Sequence, residues 1–263
     1  MTLPRDDIKV NESLTVSIIT VCFNAEKHIE KTIKSVLVQT YPRTEYIIVD
    51  GASTDNTLTI LSKYSSKIKK IISEKDAGVY DAMNKGIKFA TGDIVYFLNS
   101  DDRLFDNATL SDIVQEFSHA PSTQILCGKV SLTNIPKQFV IKNLPAFDSE
   151  LKNKFDILQH GICHQRIFTR KEVFNKIGNF NKELKVYGDL NWLLTAFNKN
   201  IEIKYIDRYV AFFNIQGMSY QMRNQTALEK IKVIFSINSP LEFIQYVFYC
   251  VLKCFKKNKH ENI

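Results

Sequence analysis

The sequence lacks any run of about 20 apolar residues, the length needed to cross a bilayer. Its first residues, MTLPRDDIKVNES, are polar and contain acids, which is unlike a signal peptide. Cysteine is scarce, odd in number and without a Cys-x-x-Cys pair. The five cysteines are Cys22, Cys127, Cys163, Cys250 and Cys254. We therefore expect a cytoplasmic protein with reduced thiols, and neither a zinc site nor a disulfide framework.

The sequence also lacks a nucleic-acid-binding motif next to either of its lysine clusters. The formal net charge is +7, and much of the excess lies in lysine clusters at 63–70 and 253–259. Net charge alone reports solubility and non-specific attraction. We therefore expect solvated lysines and no nucleic-acid partner.

What the chain does contain is an alternation of short apolar runs and helical patterns over residues 14–130. Strands rich in β-branched residues are expected at 14–21, 45–49, 70–73 and 93–98. Helices are expected at 25–39, 53–64 and 78–90. Strands that alternate with helices predict an α/β fold with a mostly parallel central sheet flanked by helices.

The rhythm changes after Pro136. A strand is expected at 162–169, and helices at 171–178 and 187–198. We assign one domain to residues 1–220, divided near residue 130, and a helical basic tail to 221–263.

Polar clusters follow the predicted strands at their carboxyl ends, where parallel sheets bind ligands. Asp101 and Asp102 are adjacent carboxylates that suit Mg²⁺ or Mn²⁺, although such a pair also suits a solvated turn. Asp50 is placed to accept from the imide N–H of a uracil, or from its own turn. Asp76 precedes a helix, where it is either a ligand contact or a helix cap.

Four motifs occur in an order and spacing that is specific over residues 14–105. They are Thr20-Val21-Cys22-Phe23-Asn24, Val49–Asp55, Glu74–Gly86 and Leu98–Asp102. Together with His164-Gln165 and Gly188–Trp192, they resemble the family 2 inverting glycosyltransferases with the GT-A fold, especially bacterial polysaccharide enzymes. The resemblance covers roughly residues 14–220. It implies a nucleotide-sugar-binding half at 14–130 and an acceptor-side half at 131–220.

The resemblance implies a role for each matching position. Asp101, the last acid of the family's D-x-D triplet, would hold Mn²⁺ or Mg²⁺ on the donor diphosphate, with Asp102 beside it. Asp189 would be the general base, and the alternative is a helix cap. The implied donor-binding residues are Thr20, Phe23, Asn24, Asp50, Asp76, Asn84, Lys85, Asn99, Ser100 and His164.

Two positions depart from the family pattern. Asn99 replaces the first acid of D-x-D, and Asn191 stands where relatives often carry a second acid. His164 is expected either at the diphosphate or as a structural donor. The departures leave open an inactive sugar-nucleotide-binding or assembly subunit beside the expected enzyme.

The expected reaction transfers one sugar from a nucleotide-diphosphate sugar, with UDP favoured, to a hydroxyl of a glycan or lipid-linked acceptor. Cell-surface polysaccharide synthesis is the expected setting. Two other enzyme classes fit less well. A sugar-nucleotide pyrophosphorylase needs a Gly-rich basic loop where Cys22–Ala25 stands, and a processive synthase needs membrane spans and a Q-x-x-R-W motif.

The tail contains a helical pattern at 240–257 with one apolar face, followed by lysines. Such a helix suits the interface of an anionic membrane, at the inner face of the cell membrane. The alternative is a terminal helix packed on the domain or on the partner of a homodimer.

Overall fold

The computed structural model describes residues 14–133, 154–160, 162–217 and 227–237, and the single positions 222, 239, 241, 244 and 245. The strands are β1 Val16–Cys22, β2 Thr44–Asp50, β3 Lys70–Ser73, β4 Ile94–Phe97, β5 Arg103–Leu104, β6 Ile125–Thr133, β7 Ile167–Arg170 and β8 Ile203–Asn214. The helices are α1 Ile29–Leu37, α2 Thr57–Ser62, α3 Val79–Phe89, α4 Thr109–His119, α5 Lys154–His160, α6 Glu172–Ile177, α7 Gly188–Asn198 and α8 Ala227–Ile237.

One eight-stranded sheet runs through the described residues in the order β3-β2-β1-β4-β7-β6-β8-β5. Strands β1, β2, β3 and β4 pair in parallel, and β6 pairs in parallel with β8. Only β7 and β5 run against their neighbours. The predicted fold class, a mostly parallel sheet flanked by helices, is confirmed.

Helices cover both faces of the sheet, which explains why nearly every residue of β1 and β2 is buried. Ile19 and Val21 face a core that also contains residues of α3, α5, α6, α7 and α8. Val16 and Ile18 face the opposite core, with residues of α1, α2 and α4. A strand buried on both sides has no polar face to alternate with its apolar one.

Several predicted elements begin later than expected, among them the second helix, which starts at Thr57 instead of residue 53. The first helix starts at Ile29 instead of Ala25, because Asn24 takes a left-handed conformation (φ 48°) and the Ala25 N–H donates to Thr57 Oγ1 at 2.8 Å. The strand expected at 162–169 starts at Ile167, because His164–Arg166 form a turn of 3-10 helix. The side chains of that turn are buried and bond to other segments.

The start of the tail belongs to the domain. Helix α8 buries Val233 and Ile234 in the core shared with α7, so the first part of the predicted tail packs on the sheet domain. Most of the helix predicted at 240–257 lies outside the described residues. Over the described part of the chain, no helix is both long enough and apolar enough to span a membrane.

A buried carboxylate joins β1, β2 and the turn before β4 at the amino end of the sheet. Glu45 is 6% exposed and accepts hydrogen bonds from Ser17 Oγ, Lys69 Nζ and both the N–H (2.5 Å) and hydroxyl (2.6 Å) of Thr91. Burial alone would raise its pKa. Hydrogen bonds from Lys69, Ser17 and Thr91 outweigh burial and lower the pKa of Glu45 to about 2.

We expect this carboxylate to contribute to acid resistance. Because its pKa is lowered on folding, its contribution is present above its ordinary pKa of 4.5 and is lost as the pH falls towards 2. Glu45→Gln should lower the free energy of unfolding at pH 7 by about 1–3 kcal/mol, and the difference from wild type should shrink below pH 4.5. Urea unfolding at several pH values measures this, with exposed Glu183→Gln as control. A difference that stays constant from pH 3 to 7 would contradict the assignment.

Candidate active site

The loops after β1 and β2 are joined by hydrogen bonds at the carboxyl edge of the sheet. The Asn24 N–H donates to Ser53 Oγ at 2.8 Å, and Asn24 Oδ1 accepts from the Thr54 N–H at 2.9 Å. Both loops are therefore held in one arrangement. The ring of Phe23 projects beside them and is 63% exposed. A planar exposed ring at this edge offers a stacking surface.

Asp50 lies beneath this loop pair and has no exposed surface. Its carboxylate accepts from the Ser53 N–H at 3.0 Å, the Ser53 hydroxyl and the Ser73 hydroxyl at 2.7 Å. It thus joins the ends of β2 and β3 to its own turn, as the structural alternative predicted. A bound base would have to displace one of these hydroxyl groups to reach it.

Asp76 covers the backbone of Gly51. A Cβ placed on Gly51 would lie 2.6 Å from Asp76 Oδ2, so only glycine allows this approach. Asp76 Oδ1 accepts from the Gly78 N–H at 2.9 Å, which forms a turn before α3. The residue at the cap position of α3 is Gly78, so Asp76 does not cap the helix.

Three predicted donor-binding side chains have other partners. Thr20 is fully buried inside β1, with its hydroxyl 3.0 Å from the Tyr46 hydroxyl. The Asn84 amide bonds the backbone of Phe180 in both directions, at 2.8 and 3.0 Å. Lys85 Nζ donates to the Lys75 carbonyl at 2.6 Å and lies 2.9 Å from Glu74 Oε1. Their part in donor binding stays a prediction.

The two acids after β4 differ in surroundings. Asp102 is 1% exposed, and its carboxylate accepts from the Asn214 N–H at 2.8 Å and from Gln165 Nε2 at 2.5 Å. Burial, and then the neighbouring charge of Asp101, raises its pKa well above the ordinary value. Asp101 keeps partial exposure and accepts from Asn214 Nδ2 at 3.2 Å. Asp102 is thus buried and hydrogen-bonded through both oxygens, whereas Asp101 is the more exposed acid of the predicted metal pair.

His164 connects the end of β4 with α7. Its Nε2 lies 3.1 Å from Asn99 Oδ1, and its Nδ1 lies 3.5 Å from Asp189 Oδ2. The second distance suits an ion pair and is longer than a good hydrogen bond. Asn99, His164 and Asp189 therefore meet at the same edge of the sheet, and Asp101 lies two residues after Asn99. Ser100, between Asn99 and Asp101, contributes its carbonyl to the Thr32 hydroxyl at 2.8 Å.

Asp189 lies in the first turn of α7, within the helix and not at its cap. The cap position is Tyr187, and no side chain caps the helix. Asp189 is 8% exposed, and the Tyr80 hydroxyl lies 3.4 Å from its Oδ1. Asp189 is therefore not the residue at the cap position of α7.

Sequence analysis did not identify several residues that arrange this site. Gln165 and Asn214 hold Asp102, and Tyr80 and Glu229 contact the segment before Asp189. The His-Gln motif is a signal for Gln165, whereas Asn214 and Glu229 belong to no motif. Gly188 is needed for close packing, since a Cβ there would lie 2.6 Å from the Tyr80 ring.

Comparison with known proteins agrees with this geometry. The family model described as Glycosyl transferase family 2 matches residues 17–178. The PGL/p-HBAD biosynthesis glycosyltransferase of Mycobacterium tuberculosis is 29% identical over 220 residues, which are 82% of this chain and 83% of that protein.

Two solved structures have a similar fold. Staphylococcus aureus TarS in complex with UDP has a TM-score of 0.62 and 25% identity, over 76% of this chain and 60% of that fragment. This chain spans only 37% of the longer TarS chain. A mannosyltransferase of Pyrobaculum calidifontis, solved with GDP-Man and Mn²⁺, has a TM-score of 0.67 and 19% identity, over 90% and 69% of the two chains.

The family match covers more than half of the chain, and the neighbouring structures have the GT-A-like arrangement of a mostly parallel sheet between helices. The chain belongs to glycosyl transferase family 2 and is a glycosyltransferase.

Proposed function

We propose that the protein transfers a single sugar, with inversion, from a nucleotide-diphosphate sugar to a hydroxyl of a glycan or lipid-linked acceptor in cell-surface polysaccharide synthesis. The observation that carries the proposal is that His164 joins Asp189 to Asn99, two residues before Asp101, at one edge of the sheet. A base and a leaving diphosphate that lie at the same edge of the sheet would both be close to the anomeric carbon, which suits a single displacement there. The M. tuberculosis relative, named for PGL/p-HBAD biosynthesis, supports a biosynthetic role for the transfer.

The donor would lie across the ends of β1, β2 and β4, and UDP is its favoured nucleotide. The exposed Phe23 ring would stack on the base, and Asp76 with Gly51 would border it. Asp50 would reach the base edge by exchanging its bond to Ser73 for one to the uracil. The structure of TarS with UDP supports a uridine donor.

Asp189 would remove the proton from the acceptor hydroxyl as that oxygen attacks the anomeric carbon. A hydroxyl is a poor nucleophile until a carboxylate accepts its proton. The nucleoside diphosphate leaves from the opposite face, so a single displacement inverts the configuration without a covalent intermediate. Tyr80 and His164 hold the Asp189 side chain near its attacking position.

Asp101 would hold Mn²⁺ or Mg²⁺ on the diphosphate. Its partly exposed carboxylate is a hard oxygen ligand at the strand end, as these cations prefer. Among the described residues no group of three or more His, Cys, Asp or Glu could enclose a metal ion. One protein carboxylate, with diphosphate oxygens and water, is a common arrangement for Mg²⁺. The ion would compensate the negative charge that develops on the leaving diphosphate. The mannosyltransferase solved with Mn²⁺ supports this choice.

We also propose that the protein contacts an anionic membrane peripherally, through helix α8. Leu228, Ile231 and Phe235 form one stripe of α8 and are 71%, 47% and 56% exposed, while the opposite face packs on the domain. A half-buried helix with an outward apolar stripe suits the membrane interface. It would keep the enzyme beside lipid-linked acceptors on the inner face of the membrane. The partner of a homodimer is the alternative occupant of this stripe.

Asp189→Asn tests the base. Asparagine keeps an oxygen for the Leu190 N–H but accepts no proton, so kcat should fall by roughly 10²–10⁴-fold with donor affinity unchanged. Glu172→Gln is the matched control, since Glu172 is the first-turn acid of α6 and its carboxylate contacts Gln124 and Lys176, not residues of the site. Radiolabelled sugar transfer measures kcat, and calorimetry with UDP measures affinity. Transfer by Asp189→Asn at close to the wild-type rate would rule out the base role.

Metal dependence has a readout in binding as well as in turnover. A chelator should abolish transfer, and Mn²⁺ or Mg²⁺ should restore it. In calorimetry, UDP should bind at least about 10-fold more tightly with Mn²⁺ present, and Asp101→Asn should remove that difference. Full activity of Asp101→Asn in the chelator would show that the ion has no role at this position.

Membrane contact is measured by co-sedimentation with vesicles that contain anionic lipid. Replacing Ile231 and Phe235 by serine, or deleting residues 240–263, should release most of the protein, because each change removes apolar area from the interface. Leu58→Ser is the control, since Leu58 is an exposed apolar residue on α2. If both altered proteins sediment like the wild type, the tail has a structural role only.

A further inference from the structure

The strongest feature outside the assigned site is a carboxylate that gathers three consecutive backbone N–H groups. Glu229 Oε1 accepts from Val186 at 2.8 Å and from Tyr187 at 2.7 Å, and Glu229 Oε2 accepts from Lys185 at 2.9 Å. Hydrogen bonds to an ionised acceptor are about twice as strong as neutral ones. The segment 185–187 is therefore held by a single side chain of α8.

That segment leads directly into the catalytic turn. Tyr187 is the cap position of α7, and Asp189 follows two residues later. The Val186 carbonyl accepts from the Tyr80 hydroxyl at 2.6 Å, and the same hydroxyl lies 3.4 Å from Asp189 Oδ1. Any shift of residues 185–187 would therefore move both the backbone of Asp189 and its tyrosine neighbour.

Glu229 is itself firmly placed. Val233 lies one helical turn further along α8, and with Ile234 it is buried in the core that contains Leu190 and Trp192 of α7. Burial of two branched side chains fixes the position of the helix against α7. Glu229 thus extends from a packed helix to the loop and does not depend on a mobile surface.

We propose that Glu229 is a positioning residue for sugar transfer, which sets the approach of Asp189 to the acceptor hydroxyl by holding the N–H groups of residues 185–187. The inference rests on the proposed role of Asp189 as the base. The proposal gives α8 a part in catalysis. None of the motifs that carry the family resemblance lies in this helix. Reactions of this kind are sensitive to placement, since a displacement of about 1 Å can cost about 10²-fold in rate.

The two substitutions at Glu229 should have graded effects. Glu229→Ala removes all three acceptor contacts, so kcat should fall by about 10–100-fold while KM for the donor changes less than about 2-fold. Glu229→Gln keeps one carbonyl oxygen for Val186 and Tyr187 but loses the acceptor for Lys185, so it should lose less than about 10-fold. Glu183→Ala removes an exposed acid of the same loop and should behave like the wild type.

Amide hydrogen exchange tests the tether itself. In Glu229→Ala, the amides of residues 185–187 should exchange faster than in the wild type, while those of β1 and β2 should not change. Unchanged exchange at 185–187 would overturn the proposal. If Glu229→Ala does not fold, the same measurements on Glu229→Gln decide the question.

A double substitution separates this inference from the base assignment. If Glu229 acts through Asp189, adding Glu229→Ala to Asp189→Asn should lower the residual rate by less than about 2-fold. A full additional loss in the double variant would show that Glu229 acts by another route. A fully active Asp189→Asn would refute the base, whereas an inactive Asp189→Asn with a fully active Glu229→Ala would refute only the positioning role.

Discussion

A buried carboxylate, that of Asp102, holds together the three segments from which the active site is built. It lies at the end of β4 and accepts from Gln165 in the turn before β7 and from Asn214 at the end of β8. These residues are 63 and 112 positions away in sequence. Such a buried acid is costly unless its oxygens are hydrogen-bonded, so the three segments must meet here for the fold to be stable. Asp101 and His164 are the immediate neighbours of this contact, and their positions follow from it.

The same division between structural and chemical roles recurs across the site. Asp50, Asp102 and Glu229 use their oxygens to join separate segments of the chain, whereas the Phe23 ring is exposed at the edge where ligands bind in parallel sheets. Under the proposed function, Asp102 has the structural role and its neighbour Asp101 would meet the donor.

Much of the fold could be predicted from the sequence, because strands such as Val16–Cys22 are short runs rich in β-branched residues and the polar motifs follow their ends. The partners of individual side chains could not, because they depend on contacts between distant segments. Thr20 belongs to a recognisable motif but bonds Tyr46 inside the sheet. The turn at His164–Arg166 occupies the first part of the strand predicted at 162–169, because Gln165 bonds Asp102 there. Glu229 had no local signal, since only the packing of α8 on α7 places it beside residue 186.

The central claim is that Asp189 and the leaving nucleoside diphosphate lie on opposite faces of the anomeric carbon, so that the sugar is transferred in a single displacement. The most direct test is the anomeric configuration of the product, followed by proton NMR while the enzyme consumes an α-linked UDP-sugar. A single displacement predicts a β-linked product as the first species formed. A first product with the α configuration would require a second displacement or a different attacking group, and would contradict the account.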